Sequence, residues 1–336
     1  MQKKLVYPAQ LVNRKPPVNY ADMADNKTSF IRLKETINSC ELIEINNAYI
    51  SPFGVVFKNG FIVKESVYSM FKPNSFLLSF FKKIFLNKVK KIKGTCVVAH
   101  HSYYQNYYHF LLEILPRLFL VKDQAATLKV IINKNSPSFV REYIELFNFK
   151  EIVFIEDTEV AFAEKLVFPS YSSRGLAYNE TIINEMSEWL RSKLFNLDNN
   201  AAPKKIFISR EKARYRNTIN EEEVFAILEK KGFVKFNLDE PSIKSQANFF
   251  KNAEYIVGSH GAGFSNMIYS PNCKLVVDII HENHPQDCFY NLANVFDIDY
   301  YYFQCKGTGK NSYANNDDIN VDLFKFEQII NQYIPE

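Results

Sequence analysis

The most constraining feature of this sequence is a strand–helix alternation that begins after residue 203. Short β-rich runs at Ile206–Ser209, Val234–Asn237, Tyr255–Gly258, Leu275–Ile279 and Tyr300–Gln304 alternate with helical stretches at Asn220–Lys231, Pro241–Lys251, Gly263–Ser270 and Pro285–Val295. That spacing builds a parallel sheet wrapped by helices. The preceding segment, Asn196–Pro203, reads NLDNNAAP and has the composition of a linker. A chain of 336 residues exceeds what one hydrophobic core comfortably fills. The sequence therefore predicts two α/β domains, residues 1–198 and 199–336. A last helix near Asp322–Tyr333 could reach back to pack on the first of them.

The first half is less regular. Residues 1–45 read as an arm. Residues 48–68 carry Asn59-Gly60 between two β-rich runs, a hairpin signal. Residues 75–93 read as an amphipathic basic helix stopped by Gly94, with a strand at Thr95–Ala99 after it. From Ser66 to Leu112 there is no acidic residue, whereas Lys72, Lys82, Lys83, Lys88, Lys90, Lys91 and Lys93 fall there. Apolar residues interleaved with six of these lysines suit a helix lying on an anionic membrane surface; a core-packing helix with a lysine face is the alternative.

Composition excludes more than it selects. A net charge of +4 gives no nucleic-acid signature. Five widely spaced cysteines with no C-x-x-C argue against a disulfide framework or structural zinc. No apolar run reaches the ~18 residues of a membrane-spanning helix. The N-terminus lacks a signal-peptide core. The expectation is a cytoplasmic protein, peripheral on the inner face of the membrane through residues 75–93.

Parallel α/β sheets bind ligands at the carboxyl ends of their strands. Three polar clusters fall there: Ser209-Arg210 with Arg214 beyond, Ser259-His260-Gly261-Ala262-Gly263, and Asp278. Small residues at 261–263 let backbone N–H groups approach an anion at a helix start. Arg210 can bind phosphate oxygens in a fork, and a carboxylate such as Asp278 can accept from ribose hydroxyls. In the first half, residues 100–118 read HHSYYQNYYHFLLEILPRL. Asn106 is placed as an N-cap, which puts His109 in the first helical turn and Glu113 one turn on. A helix N-terminus favours neutral imidazole, so His109 is a candidate general base. The competing possibility is that His109 caps the helix while Glu113 pairs with Arg117. A carboxylate-held metal has little support: Asp297-Ile298-Asp299 is formally D-x-D, yet it precedes the last strand, at the wrong end.

Two blocks resemble glycosyltransferase family 61, also known as DUF563. One is Asn106–Leu118 (NYYHFLLEILPRL), similar to the family's N-Y-x-H-W-L-L-E-x-L-P-R-L with Phe110 at the Trp position. The other runs from Lys205 to Ile280 and contains IFISR, Arg214 and Arg216, Asn220-Glu221 and VGSHGAGFSN. The family includes bacterial capsule and lipopolysaccharide transferases. The resemblance implies a GT-B fold, two Rossmann-like domains facing a cleft, with an inverting mechanism that needs no metal or other cofactor. It places a nucleotide-sugar, expected to be UDP-linked, in the C-terminal domain, with Arg210, Arg214, His260, Gly261, Ala262 and Gly263 as donor-site residues by matched position; Ser209, Asn266 and Asp278 are expected to bind the donor beside them. His109 and Glu113 become catalytic candidates, and Asn106, Tyr107 and Arg117 face the acceptor, a growing surface polysaccharide or glycolipid. The alternative is a non-catalytic assembly protein of a polysaccharide-synthesis complex.

Overall fold

The computed structural model describes residues 1–23, 28–68, 73–86, 88–174, 176–196, 202–238 and 242–336. The linker core at 197–201 lies outside the described residues. The chain forms two compact units. One holds residues 1–10 and 36–175, the other 11–35 and 176–336. This division differs from a cut at 198, because residues 11–35 and the helix after residue 179 belong with the second unit.

The first unit is built on a mixed eight-stranded sheet. Its strands are β1 (Gln2–Tyr7), β2 (Cys40–Ile50), β3 (Val56–Lys58), β4 (Phe61–Ile62), β5 (Val89–Val97), β6 (Lys129–Asn133), β7 (Glu151–Ile155) and β8 (Val160–Pro169). They run in the order β4-β3-β2-β8-β5-β6-β7, with β1 also on β2. The last four in that order are parallel. Asn59 and Gly60 both take positive φ (52° and 82°) between β3 and β4, as a two-residue hairpin turn requires. The expected basic helix is two elements. Helix α1 (Pro73–Phe85) ends early, and Val89–Lys93 opens strand β5. The residues Val89, Ile92, Cys96 and Val97 supply the buried and half-buried positions of that strand, which pairs with β8. Gly94 stops no helix. It takes φ +83° where the β8 register shifts between Ala163 and Lys165, the mark of a β-bulge. Within α1, Phe80 stacks on Phe57 at 3.6 Å, while Leu78 and Phe85 stand 77% and 89% exposed.

The second unit is doubly wound. Strands β9 (Lys205–Ile208), β10 (Val234–Phe236), β11 (Tyr255–Ser259), β12 (Leu275–His281) and β13 (Asp299–Gly307) are parallel, and β14 (Ile319–Asn320) closes one edge antiparallel. Their order is β10-β9-β11-β12-β13-β14. The chain therefore reverses direction across the sheet between β9 and β11, which opens a crevice beyond their carboxyl ends. Among the described residues, five α-helices cover the sheet: α4 (Glu180–Leu194), α5 (Glu221–Glu229), α6 (Ile243–Phe250), α7 (Cys288–Val295) and α8 (Leu323–Tyr333); in the first unit, α3 (Ser138–Glu145) sets its Arg141 over Phe154 of β7 at 5.1 Å. Phe207, Val257, Val277 and Phe303 share one core with Val224 and Leu228 of α5 and Phe326 and Ile330 of α8. The final helix thus packs on its own unit. Contacts among α4, α6, α7 and the 3-10 helix Ala262–Tyr269 build the opposite layer. A sheet covered on both faces needs apolar strands throughout, and β12 reads Leu-Val-Val-Asp-Ile-Ile-His with every residue buried. Each such Val or Ile contributes roughly 1.5–3 kcal/mol, which leaves Asp278 as the exception to explain.

The arm at 11–35 covers the part of the β13 edge that β14 leaves unpaired. Val18 N–H donates to Tyr300 O at 2.8 Å, and Asn19 Nδ2 donates to Tyr302 O at 2.9 Å. Lys15 Nζ bridges Asp297 and Asp299, both at 2.9 Å, so the D-x-D pair is engaged in a surface ion pair at the strand's amino end.

Candidate active site

In the first unit the histidine-bearing helix, α2, is assembled from three short pieces. Tyr107–His109 is α-helical, Phe110–Ile114 a π-helical turn, and Leu115–Phe119 α-helical. Asn106 caps it, its side chain accepting from His109 N–H at 3.4 Å. Pro116 has no N–H and would crowd the carbonyl four residues back, and the helix widens there. Leu115 N–H instead reaches Phe110 O, five residues back.

This turn presents Glu113 inward, fully buried. His109 Nδ1 lies 2.7 Å from one carboxylate oxygen, and Tyr68 O–H donates to the other at 3.0 Å. His101 Nε2 stands 3.3 Å from the oxygen that His109 uses, too poorly aligned for a hydrogen bond. Burial alone would raise the Glu113 pKa, but the interactions with His101 and His109 outweigh it, and the carboxyl is held below its usual range. Burial pushes His101 down and Tyr68 up. The Tyr68 ring lies flat on His101 at 4.2 Å, and Tyr103 stacks on His109 at 4.8 Å. With Nδ1 committed to Glu113, the outward nitrogen of His109 is Nε2. It has no partner among the described residues, and the side chain is 20% exposed.

His101, His109 and Glu113 each bring a ligand atom within 4.8 Å of the others, a spacing that could hold a metal ion. Tyr103 N–H donates to His101 Nδ1 at 3.3 Å, which leaves the proton of a neutral ring on Nε2, the atom a metal would need bare.

Two expected acceptor-side residues turn inward. Arg117 is fully buried. Its Nε and Nη2 donate to Pro169 O and its Nη1 to Ala99 O, and its guanidinium lies over Tyr171 at 4.2 Å. It pins the helix to the ends of β5 and β8 and makes no pair with Glu113. Tyr107 is buried too, with its hydroxyl 3.1 Å from that of Tyr143. Tyr68 and His101 went unnoticed in the sequence. A His-His pair directly after a β-rich run was the available signal for His101; Tyr68 had none.

In the second unit a cavity of about 230 Å³ opens at the crevice beyond β9 and β11. Ser209, Arg210, Lys212, Arg214, Ser259 and the Gly261–Gly263 loop line it. The described wall carries three cations and no carboxylate. Arg210 is held across the loop, Nη2 donating to Tyr215 O at 2.7 Å and Nε to Arg216 O at 3.3 Å. A β-carbon on Gly261 would overlap Arg210 Nη1, so glycine is what lets the guanidinium lie there. A β-carbon on Gly258 or Gly263 would instead press on Ile208. The 3-10 helix starts at Ala262, and its first N–H groups have no intrahelical acceptor.

Three expected donor residues make side-chain bonds within the fold. Asp278 is fully buried; its carboxylate accepts from Tyr300 O–H at 2.6 Å and lies 2.7 Å from His260 Nδ1, so it orients His260 and cannot reach a ribose. Asn266 is also fully buried, its Nδ2 donating to Gln246 Oε1 at 3.0 Å. Ser209 lines the cavity, yet its hydroxyl donates to Glu221 at 2.5 Å, and Glu221 also accepts from Arg210 N–H at 3.0 Å. The cavity brings together Arg210, Arg214, Gly261, Ala262 and Gly263. His260 sits behind them, its Nε2 facing Gln286 at 3.3 Å and Cys288 Sγ at 3.8 Å.

A carboxylate–histidine pair and a cationic cavity at a sheet's switch point have the chemistry of group transfer. Residues 107–277, just over half of the chain, match the family described as Glycosyltransferase 61. This chain belongs to glycosyltransferase family 61. The match contains His109, Glu113, Arg210 and the 260–263 loop, and omits Tyr68, His101 and Asp278. The chain is also similar to an EGF domain-specific O-linked N-acetylglucosamine transferase of Drosophila melanogaster, 24% identical over 234 residues. That alignment covers 61% of this chain and 44% of the relative, so the chain spans less than half of that protein's length.

Proposed function

We propose that this chain is an inverting, metal-independent glycosyltransferase that moves a sugar from a UDP-linked donor to a bacterial surface polysaccharide or glycolipid, its two units working as a GT-B pair. The observation that carries the reading is the His109–Glu113 pair. Glu113, held by Tyr68, fixes the proton on His109 Nδ1, and Nε2 is then an acceptor. In the reaction the acceptor hydroxyl attacks the anomeric carbon from the face opposite the diphosphate. His109 Nε2 takes the hydroxyl proton, the new C–O bond forms, and the bond to the diphosphate breaks with its electron pair leaving on oxygen. The developing charge is met by Arg210 and by N–H groups at the start of the 3-10 helix. Glu113 stays buried and ionised, and it stabilises the imidazolium.

Metal independence is supported by the described cavity wall, which carries three cations and no carboxylate to hold a divalent ion. The fly relative's name makes N-acetylglucosamine the first sugar to try. An anionic membrane surface as partner is supported by the exposed Leu78, Phe81, Phe85 and Leu86 beside Lys82 and Lys88, and fits a cytoplasmic, membrane-peripheral location. Among the described residues, no helix is long and apolar enough to cross a membrane.

The test is a thermal-shift screen against UDP-, GDP-, CMP- and dTDP-sugars, followed by transfer assays with and without EDTA. A donor at 100 times its dissociation constant should stabilise the fold by about 2.7 kcal/mol. Stabilisation by UDP-sugars and transfer that persists in EDTA are expected. Activity lost in EDTA and restored by Mn²⁺ would reject metal independence, and no response to any nucleotide-sugar would reject the donor reading.

A further inference from the structure

The 2.7 Å contact between His109 Nδ1 and Glu113 does not by itself fix where the imidazole points. A histidine side chain has two free torsions, and one hydrogen bond constrains them incompletely. The plane of the ring, and with it the direction of Nε2, is set by the packing on its faces. Among the described residues three rings stand nearly perpendicular to His109: Tyr68 at 86°, His101 at 86° and Tyr108 at 77°. Tyr103 alone lies along its face, with centroids 4.8 Å apart and 28° between the planes.

Local bonding puts Tyr103 there. Tyr104 N–H donates to His101 O at 3.0 Å, and Asn106 N–H donates to Tyr103 O at 2.9 Å. Asn106 then caps α2 through His109 N–H. These tight turns run straight into the helix, so the chain just before α2 folds back over its first turn. Tyr103 N–H also donates to His101 Nδ1 at 3.3 Å, which ties the same backbone to the histidine beside Glu113.

An uncharged imidazole gains only ordinary stacking from this neighbour. A protonated one places a positive charge against the electron-rich face of an aromatic ring. The contact therefore strengthens when a proton arrives at Nε2, which is the property that lowers a barrier rather than merely tightening binding. We propose that Tyr103 is a positioning residue for the transfer reaction: its ring sets the plane of His109, and its face stabilises the imidazolium formed as the acceptor hydroxyl loses its proton. This rests on the reading of His109 as general base. The aromatic ring carries the effect, and the phenolic hydroxyl takes no part in it.

Initial-rate kinetics on Tyr103→Phe, and on proteins with progressively fluorinated phenylalanines at that position, test it. Fluorine drains charge from the ring face while the shape stays nearly constant, so folding does not confound the comparison. Tyr103→Phe should keep kcat within about twofold, because the face is retained. Along the fluorinated series kcat should fall steadily, by about twofold to thirtyfold in all, the range that a cation–π contact spans. KM for donor and acceptor should stay within about twofold, because the lost interaction exists only once the proton has moved. In a His109→Ala background the series should be flat, since no imidazolium forms. A flat series with His109 in place, a Tyr103→Phe enzyme as slow as the most fluorinated one, or losses confined to KM would overturn the assignment. A His109→Ala enzyme that transfers sugar at the wild-type rate would instead overturn the base reading beneath it.

Discussion

The two units contain similar tyrosine–histidine–carboxylate arrangements with opposite outcomes, spread over both oxygens of Glu113 but gathered on a single oxygen of Asp278. In the first, Tyr68 and His109 converge on the buried carboxylate of Glu113; in the second, Tyr300 and His260 converge on that of Asp278. Both histidines use Nδ1, and both nitrogen–oxygen distances are 2.7 Å. The difference that bears on chemistry lies at the other side of the ring. His109 Nε2 is bare on a 20% exposed side chain, whereas His260 is 5% exposed with Gln286 and Cys288 against its Nε2. A carboxylate that fixes a histidine tautomer makes a base only when the second nitrogen is open to a substrate. Where it is closed, the same bonds hold a loop in shape.

That contrast is most exposed to failure at His109. His109→Ala should lower turnover by about 10²–10⁴-fold with donor affinity retained, measured by initial rates beside calorimetry. Glu113→Gln should act in the same direction, because the amide no longer fixes the tautomer. A fully active His109→Ala enzyme would make the first arrangement as structural as the second. Asp278→Asn probes the closed partner and should cost about 1–3 kcal/mol of unfolding free energy in denaturant melts, for loss of a buried charged acceptor. If it slowed catalysis without destabilising the fold, His260 would have to be reconsidered as a participant. Gly261→Ala tests the cavity beside it. The new β-carbon displaces Arg210, and donor affinity should fall by about tenfold with the melting temperature little changed.

Acid should also test the first arrangement, by a smaller margin. The folded pKa of His101 is depressed below 6.5, so the neutral ring is favoured in the fold and its contribution erodes as pH falls below that value. The Glu113 pKa is depressed below 4.5, so its contribution is intact above 4.5 and disappears as pH drops through the lower folded value. Melting temperatures of Glu113→Gln should therefore fall less steeply below pH 4.5 than those of the wild type. Parallel curves would mean that the cluster contributes no acid sensitivity.

The strand–helix alternation after residue 203 was readable because each strand is short, apolar and bounded by turn residues. The sheet order and its reversal between β9 and β11 were not, since pairing is a long-range property. Lys88–Lys93 misled for a local reason: a lysine-rich continuation of an apolar helix looks helical until β8 pairs with it. Asn106, His109 and Glu113 were found by capping and helical spacing. Asp278, Asn266 and Arg117 were assigned outward roles because a polar residue in a motif reads as a contact, and only burial reveals that each bonds inward. Tyr68 sits far from His101 and Glu113 in sequence and had no local pattern to announce it.

The arm at 11–35 has a consequence for how the chain comes into being. Asn19 bonds to Tyr302, 283 residues later. At synthesis rates of roughly 5–20 residues per second, the arm waits tens of seconds for the edge it will cover. Until then β13 does not exist and the arm has no strand to pair with; once β13 forms, an unoccupied edge is a template for wrong partners. A fragment begun at the linker would keep the cavity residues but lose both α4 and the arm, leaving that edge bare. The second unit is therefore a discontinuous body, and it is finished by a segment made before residues 36–175 of the other unit.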